Sequence, residues 1–243
     1  MMNKYTKAIR ACLIMAFLLP ISNQSYAADY DKWKVRLRGI AIAPDDDSGQ
    51  IIVNNAIAQG AGVEVDAAFV PEFDITYMIT PHWGVEAIAG IANHDVNIDG
   101  TPNAGSTLAA VGATDGLKLF DTWVLPPTVT LQYHFLPDSK IRPYVGVGVN
   151  YTAFLADNAT SQLEAAVGGP VKVSTENSWG YAFQAGVDYD INDKWFLNAD
   201  VKYIDISTAA KLGVNGGVNA GAVLNVDVDV DPWVMGVGIG YRF

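Results

Sequence analysis

Cysteine is almost absent from this chain of 243 residues: the only one is Cys12. It lies in an N-terminal segment that has the parts of a secretory signal peptide, namely a basic start, an apolar run over residues 11–21 and a small-x-small cleavage site before residue 28. We therefore expect residues 1–27 to be a signal peptide and residues 28–243 to form a single exported domain. That domain contains no cysteine, so no disulfide bond can hold it together.

Basic residues are also few. Of the 15 lysines and arginines, three precede residue 28, so the exported domain has 12 basic residues against 26 acidic ones, a formal net charge of −14. Such an acidic domain repels the phosphate backbone. We expect no nucleic acid partner.

Long apolar runs are missing too. After residue 27 there is no stretch of 18 consecutive apolar residues, which argues against a helical membrane protein. What the sequence has instead is alternation: from Met235 to Phe243 the odd positions are large and apolar, and the positions between them are glycine or arginine. A period of two is typical of a strand with two unlike faces. The face with the large residues must lie against an apolar surrounding.

The same alternation recurs along the chain. In the first segment, Trp33 and Leu37 share one face and Arg36 lies on the other. Eight such segments can be recognised, at residues 33–42, 68–80, 83–94, 121–136, 141–155, 177–190, 194–207 and 226–243. Bacterial outer-membrane barrels have an even number of strands. The sequence therefore predicts an all-β fold, an eight-stranded antiparallel up-and-down transmembrane β-barrel.

The connections between these segments alternate in length. The short ones have the Pro, Asp and Asn residues of tight turns and cover residues 80–82, 136–140 and 190–194. The long ones cover roughly residues 43–67, 95–120, 156–176 and 208–225. Outer-membrane barrels have short periplasmic turns and long extracellular loops. We therefore expect four long extracellular loops, both termini in the periplasm, and a location in the outer membrane of a Gram-negative bacterium.

The tryptophans fall into two groups along the predicted strands. Those beside the N terminus or a short turn are Trp33, Trp83 and Trp195, and those beside a long loop are Trp123, Trp179 and Trp233. Aromatic rings settle at both membrane–water interfaces, so the two groups predict two aromatic girdles. The last strand ends on Tyr241 and Phe243, which resembles the signal read by the machinery that inserts outer-membrane barrels.

Two glycine-rich stretches, "GVGVN" (146–150) and "GVGIG" (236–240), look like phosphate-binding loops. A dinucleotide fingerprint places its glycines between a strand and a helix, whereas both of these lie inside alternating strands. Inward glycines that make room for facing side chains are the better interpretation. The sequence thus predicts no cofactor.

Three inward carboxylates, Glu72, Asp74 and Glu86, have two explanations. They are either acid and base catalysts, or they pair with inward cations, because an eight-stranded barrel is filled by its own side chains. We favour pairing; the available cations are Lys34, Arg36, Arg38, Arg142 and Lys202. No metal-site spacing links the histidines, which are His82, His94 and His134. We therefore predict neither an enzyme nor a metal site.

The long loops are unexpectedly apolar. Residues 51–63 read "IIVNNAIAQGAGV", and residues 104–113 and 209–224 are similar. Apolar residues on exposed loops pack on other loops or form a binding surface, and both alternatives stay open. On the second alternative, the entrance of a substrate path is formed by Ile51, Ile52, Val53 and Ile57.

Prolines gather near the loop side of the predicted strands, at Pro71, Pro126, Pro127 and Pro232. Each removes an N–H donor and weakens the hydrogen-bond ladder. A gap there joins the upper lumen to the lipid, so these positions predict a lateral opening. The alternative is that the prolines merely end strands.

Four stretches carry a resemblance to a known family: "LPPTVTLQYHF" (125–135), "RPYVGVGVNYTAF" (142–154), "GVDYDINDKWFLNADVKYIDI" (186–206) and "DPWVMGVGIGYRF" (231–243). The sequence resembles the OmpW family, which includes the AlkL-like proteins of alkane-degrading bacteria. The resemblance implies an eight-stranded barrel that admits small hydrophobic molecules through a narrow apolar channel and releases them sideways. It also implies a closure lower down at Ile88 and at Lys202, where the family has a tryptophan. A lysine there can close the barrel by pairing with Glu86 or Asp200.

Two functions are therefore compared. The first is an outer-membrane channel for passive uptake of small hydrophobic solutes, with lateral release. The alternative is a structural or interaction barrel, or a phage or bacteriocin receptor, that acts through its extracellular loops. The expected partners are outer-membrane lipids, the barrel-insertion machinery and lipopolysaccharide, whose cation-bridged surface suits the acidic residues 45–47 and 227–231.

Overall fold

The computed structural model describes residues 31–55 and 57–243 of the chain. The predicted signal peptide, residues 1–27, lies outside them. None of the helices in the described ranges is long and apolar enough to span a membrane.

Seventeen strands and two short helices occur within those ranges. The strands are β1 (Trp33–Ala43), β2 (Asp47–Ser48), β3 (Ile52–Val53), β4 (Ile57–Ala58), β5 (Gly62–Val65), β6 (Ala68–Met78), β7 (Trp83–Gly90), β8 (Ala92–Asp99), β9 (Lys118–Leu125), β10 (Thr128–His134), β11 (Ile141–Ala159), β12 (Val171–Thr175), β13 (Ser178–Asp190), β14 (Trp195–Ile204), β15 (Ser207–Val214), β16 (Val223–Asp229) and β17 (Trp233–Arg242). The helices are α1 (Thr107–Ala110) and α2 (Ser161–Val167).

Eight of the strands close into a ring. Going round it, β1 pairs with β6, β6 with β7, β7 with β10, β10 with β11, β11 with β13, β13 with β14, β14 with β17, and β17 with β1. Every pair is antiparallel, and all join successive ring strands except β17 and β1, the last and the first, which close the ring. The predicted eight-stranded antiparallel up-and-down barrel is therefore confirmed.

The two faces of the ring strands are as the alternation predicts. In β1, Lys34, Arg36 and Arg38 are buried inside, whereas Leu37 is 58% exposed on the outside. Aromatic rings meet across neighbouring strands at both ends of the ring, for example Trp195 with Tyr241 at 4.9 Å and, at the other end, rings of Tyr203 and Trp233 at 5.4 Å.

Glycines on the inner face of the ring make room for large facing side chains. A Cβ atom at Gly240 would lie 2.2 Å from the ring of Phe196, and one at Gly186 would lie 2.5 Å from the ring of Tyr144. In the last strand, a Cβ atom at Gly236 would likewise meet Asp200 Oδ1 at 2.5 Å and one at Gly238 the Leu37 carbonyl at 2.1 Å, so a larger residue at any of these glycines would displace a tightly packed neighbour.

The predicted long loops are wrong in part, because β11 of the ring and several strands of the long connections extend beyond the ring. β8 and β9 remain paired to Asn97 and Lys118, and β15 and β16 remain paired to Gly213 and Val223. The extended strands form two further sheets, β5–β8–β9–β11 and β12–β15–β16–β3–β4, with β2 also on β16. We call these two sheets and the two helices the cap. Extension is favoured because alternate residues of the cap strands bury one another.

The cap has its own hydrophobic core. Its buried members include Ile51, Val53, Val63, Ile98, Leu108, Phe120, Leu163, Leu212 and Leu224. The apolar stretches of the long loops thus pack against each other, which is the first of the two alternatives that the sequence left open. Ile51 and Val53 are each only 2% exposed.

Candidate functional site

The lower interior of the ring is filled by charged side chains. Arg36 lies at the centre of this layer, with its guanidinium 2.7 Å from Glu86 and 3.2 Å from Asp188. Its Nη1 also donates a hydrogen bond of 2.7 Å to Thr76 Oγ1. The aromatic rings of Tyr144 and Phe196 each lie 5.4 Å from the same guanidinium.

A second charged layer lies above the first. Arg38 contacts Glu72 at 3.0 Å, Asp74 at 2.7 Å and Asp200 at 2.5 Å. Lys202 donates a hydrogen bond of 2.5 Å to Glu72 and lies 3.6 Å from Asp200. We call the two layers the ionic plug. Its charged groups are almost wholly buried, so the lower barrel has no water-filled pore.

The prediction that the inward carboxylates pair with inward cations is confirmed, but the partners of Lys202 and Arg142 differ in part from those expected. Glu72, Asp74 and Glu86 do pair with inward cations. Lys202 reaches Glu72 and Asp200 but not Glu86, which is bound to Arg36. Arg142 pairs with Asp190 near the short-turn end instead of joining the plug. The partner of each cation depends on how far neighbouring strands are shifted, which alternation alone does not specify.

Above the plug lies an apolar cavity of about 80 Å³. We call it the upper cavity. Its walls come from ring and cap together and include Ile42, Val124, Phe154, Ile206, Val228 and Val234. His94 also borders it, and its Nδ1 lies 2.9 Å from the carbonyl oxygen of Asp66.

A smaller cavity of about 30 Å³, the lower cavity, lies directly on the plug. Ile88, Glu72 and Lys202 line it, as do Val70, Gly90 and Ile91 of the wall. The two cavities share wall residues, which are Ile42, Ala92, Pro126, Ile204 and Val234. The two cavities are therefore adjacent, and we call them together the lumen, which is apolar above and charged at its floor.

The barrel wall is weakened on one side at Pro126 and Pro127. The β7–β10 ladder ends at the pair Ile88 and Thr128, and the β8–β9 ladder begins at Ala92 and Val124. Between these pairs no ladder joins the strands. On the other side of the prolines the wall stays closed, because Tyr151 N–H donates to the carbonyl of Pro127 at 3.0 Å.

The neighbouring seam, beside Pro71, is forked. β6 pairs with β7 only as far as Glu72 and Gly90, and beyond this point β8 turns to pair with β5. The upper end of β6, residues 68–71, has a ladder partner on its β1 side only. The segment around Ile91 therefore lacks ladder bonds on both flanks, and we call it the weak wall.

The prediction of a lateral opening at Pro232 is wrong. Ile204 N–H donates to the carbonyl of Pro232 at 3.2 Å, and Val230 N–H donates to that of Ile206 at 2.8 Å. The Asp231 carboxylate adds hydrogen bonds from Tyr203 Oη and Ile206 N–H. These bonds replace the one that the proline cannot make, so the wall is closed there.

The remaining residues predicted for the site do not lie together in the structure. Ile51 and Val53 are buried in the cap core and border neither cavity, which corrects their place in the substrate path. Ile52 and Ile57 are more exposed, and they too lie away from both cavities. Phe243 lies at the end of the ring, where its N–H donates to the Trp33 carbonyl at 2.9 Å.

Sequence reasoning missed the role of Gly90 and Ile91, which complete the wall of the lower cavity. The only signal is that Ile91 lies between two prolines on the flanking strands, and this needs the strand register to be known. Within residues 31–55 and 57–243, no three or more His, Cys, Asp or Glu side chains are arranged to hold a metal ion.

Known proteins are similar to this chain along most of its length. Outer membrane protein W of Salmonella typhimurium is 33% identical over 244 residues, covering 100% of both chains. AlkL of Ectopseudomonas oleovorans is 26% identical, covering 91% of this chain and 89% of AlkL. The crystal structure of OprG from Pseudomonas aeruginosa superposes with a TM-score of 0.77 at 35% identity, covering 88% of this chain and 96% of OprG.

These relatives are outer-membrane proteins without enzymatic activity, so the predicted outer-membrane location is confirmed. The model of the OmpW family matches residues 31–243. The chain belongs to the OmpW family of outer-membrane β-barrels.

Proposed function

We propose that this barrel takes up small hydrophobic molecules passively from outside the cell and releases them sideways into the outer membrane. The observation that carries the proposal is an apolar lumen that ends on a sealed ionic plug. Such a lumen takes up apolar solutes, and the plug denies them a route straight through. The resemblance to AlkL-like proteins supports the same class of solute.

The solute enters from the cap. Because outer-membrane barrels have long extracellular connections and short periplasmic turns, we infer that the cap faces the outside of the cell. The upper cavity then lies on the outer side of the plug, next to the cap sheets. Its apolar walls replace water around the solute, which is worth about 0.8 kcal/mol for each CH₂ group.

The solute leaves through the weak wall. The lower cavity reaches Gly90 and Ile91, where the wall lacks ladder bonds on both flanks. Ile91 and Phe69, on opposite sides of the fork, are exposed on the outer face of the barrel. A solute that passes between them enters acyl chains without returning to water, so it remains in an apolar surrounding throughout.

The test is to fill the lower cavity and measure uptake. A Cβ atom at Gly90 would make only ordinary contacts, the nearest at 3.7 Å to the Pro71 carbonyl, so Gly90→Phe places a ring in the cavity with little strain on the backbone. Gly213→Phe is the matched control, because a Cβ atom at Gly213 meets nothing within 4 Å. We measure the initial rate of octane uptake by cells that produce each variant, compared with cells lacking the protein.

We expect Gly90→Phe to reduce protein-dependent uptake to near the level of cells without the protein, and Gly213→Phe to leave it unchanged. Equal assembly of both variants is checked by the amount of protein in the outer membrane. Uptake that does not depend on the protein at all would refute the proposal and favour a structural or interaction role for the cap.

A further inference from the structure

One oxygen atom at the floor of the lower cavity remains available to a ligand. Glu72 is only 5% exposed, and its Oε1 atom receives the hydrogen bond of Lys202 and the ion pair of Arg38. Its Oε2 accepts no hydrogen bond from any residue that the structure describes, yet it is not among the fully enclosed polar atoms. Glu72 lines the lower cavity, so this oxygen is a buried acceptor on a residue of the cavity floor.

The charges around this oxygen are not balanced. In their charged forms, the upper layer of the plug has two cations, Arg38 and Lys202, and three carboxylates, Glu72, Asp74 and Asp200. Both cations form ion pairs with these carboxylates at 2.5–3.0 Å. The lower layer, in which Lys34 and Arg36 face Glu86 and Asp188, is neutral. The floor therefore has one carboxylate more than it has cations and presents an acceptor instead of a donor.

The space above this floor is apolar and adjoins the upper cavity. The lower cavity shares five wall residues with the upper cavity, and above Glu72 and Lys202 its lining is aliphatic except for Thr128. A chain-like solute can therefore place its tail among aliphatic side chains while one end rests on Glu72. Such a lumen is complementary to an amphiphile with a single polar end.

We propose that the lower cavity is a head-group site, in which Glu72 Oε2 accepts a hydrogen bond from the hydroxyl or ammonium group of an amphiphilic solute. This inference rests on the proposed uptake function and names the solute class within it: aliphatic alcohols and protonated amines. Carboxylates are disfavoured, because they have no donor for Glu72 and repel a floor of the same sign. Alkanes enter without this additional contact.

The experiment uses eight-carbon solutes that differ only at one end: octane, 1-octanol, octylamine and octanoate. The purified barrel, in nanodiscs of deuterated lipid with labelled isoleucine and valine methyl groups, is titrated with each solute. Nuclear Overhauser contacts locate the ends of the solute, since Ile88 borders only the lower cavity and Val124 only the upper one.

We expect the CH₂ group next to the hydroxyl or ammonium to contact Ile88 and the terminal methyl to contact Val124. Octylamine and 1-octanol should bind at least about tenfold more tightly than octanoate, a ratio equivalent to about 1.4 kcal/mol. Contacts with the solute reversed, or equal affinity for all three head groups, would overturn the inference.

Substitution provides a second readout. Glu72→Gln keeps the shape of the side chain but removes its charge, and should reduce the preference for octylamine over octanoate at least about fivefold. Glu86→Gln is the matched control, because Glu86 is a plug carboxylate that borders neither cavity, and it should leave the preference unchanged. The wild-type contacts decide the matter if Glu72→Gln does not fold, and an equal effect of both substitutions would contradict the assignment.

Uptake of octane separates this inference from the function on which it rests. Protein-dependent octane uptake with no head-group preference would refute the head-group site alone. Loss of protein dependence for octane as well would refute the uptake function.

Discussion

Replacing Arg36 with methionine should destabilise the folded barrel by about 3–5 kcal/mol, the cost of removing one partner from a buried ion pair. Arg36 is 1% exposed, and its guanidinium is the group that faces both Glu86 and Asp188. Methionine fills much of the same volume, so the cost comes from charge more than from an empty space. Lys34 also contacts Asp188, at 3.4 Å, and compensates one carboxylate in part.

The magnitude follows from what remains after the substitution. Each charge-assisted hydrogen bond contributes about 1.5–3 kcal/mol, and Arg36 makes such bonds to both carboxylates. The two bonds together contribute about 3–6 kcal/mol. The expected loss stays below the upper end of this range because both carboxylates keep another hydrogen bond: Gln132 donates one of 2.7 Å to Glu86, and Asn198 donates one of 2.9 Å to Asp188. The carboxylates are therefore left with hydrogen bonds but with less opposite charge.

The assay follows unfolding in urea in detergent micelles by the loss of the folded band on an unboiled gel. Lys194→Met is the matched control, because Lys194 forms an exposed ion pair with Asp31 at 2.9 Å, and its loss should leave the stability close to that of the wild type. The triple variant Arg36→Met, Glu86→Gln, Asp188→Asn removes charge of both signs and should recover part of the loss. A loss below about 1 kcal/mol for Arg36→Met, or a triple variant less stable than the single one, would refute the reasoning.

Three further predictions concern the wall and the termini. Because closure pairs the whole ladder, unboiled and boiled protein should migrate differently on a denaturing gel; identical mobility together with a circular dichroism spectrum lacking β structure would contradict a closed barrel. Deleting Phe243 should reduce the amount of barrel assembled in the outer membrane, measured by immunoblotting of membrane fractions, whereas normal assembly with lost uptake would place this residue in transport instead. Replacing Pro126 and Pro127 with valine restores the N–H donor of both residues; since the Pro127 carbonyl faces Tyr151 of β11, only the donor at residue 126 can face the weak wall. The change should slow octane uptake several-fold without reducing assembly; unchanged uptake, in a variant whose new bonds are seen by hydrogen exchange, would exclude this exit.

The ring could be predicted from the sequence because lipid on one side and a narrow interior on the other impose a strict period of two. Leu37 and Arg36 have opposite environments for that reason. The cap was not predicted as sheet, because its strands lie among Gly, Asn and Asp residues typical of loops. Its pairings also join distant parts of the chain, as when Asn225 donates a hydrogen bond to Asn55, 170 positions away.

The types of residue at the site could be predicted from the sequence, but the contacts between them could not. The inward charges and Ile88 follow from alternation and the family resemblance, but the partners of Lys202 depend on strand stagger. The four prolines look alike in the sequence. Pro232 differs from Pro126 only because neighbouring backbone groups replace its missing bond, and such compensation is a property of the folded wall.

The ionic plug also determines the order in which the barrel can form. Arg36 bonds to partners 50 and 152 positions away, so its site does not exist until strands from both halves of the chain have met. Until then, each unpaired charge must stay hydrated, and placing it in the lipid interior costs several kcal/mol. A half-closed sheet is therefore unable to settle in the bilayer, and the same residues that seal the finished barrel make its insertion and its closure a single event.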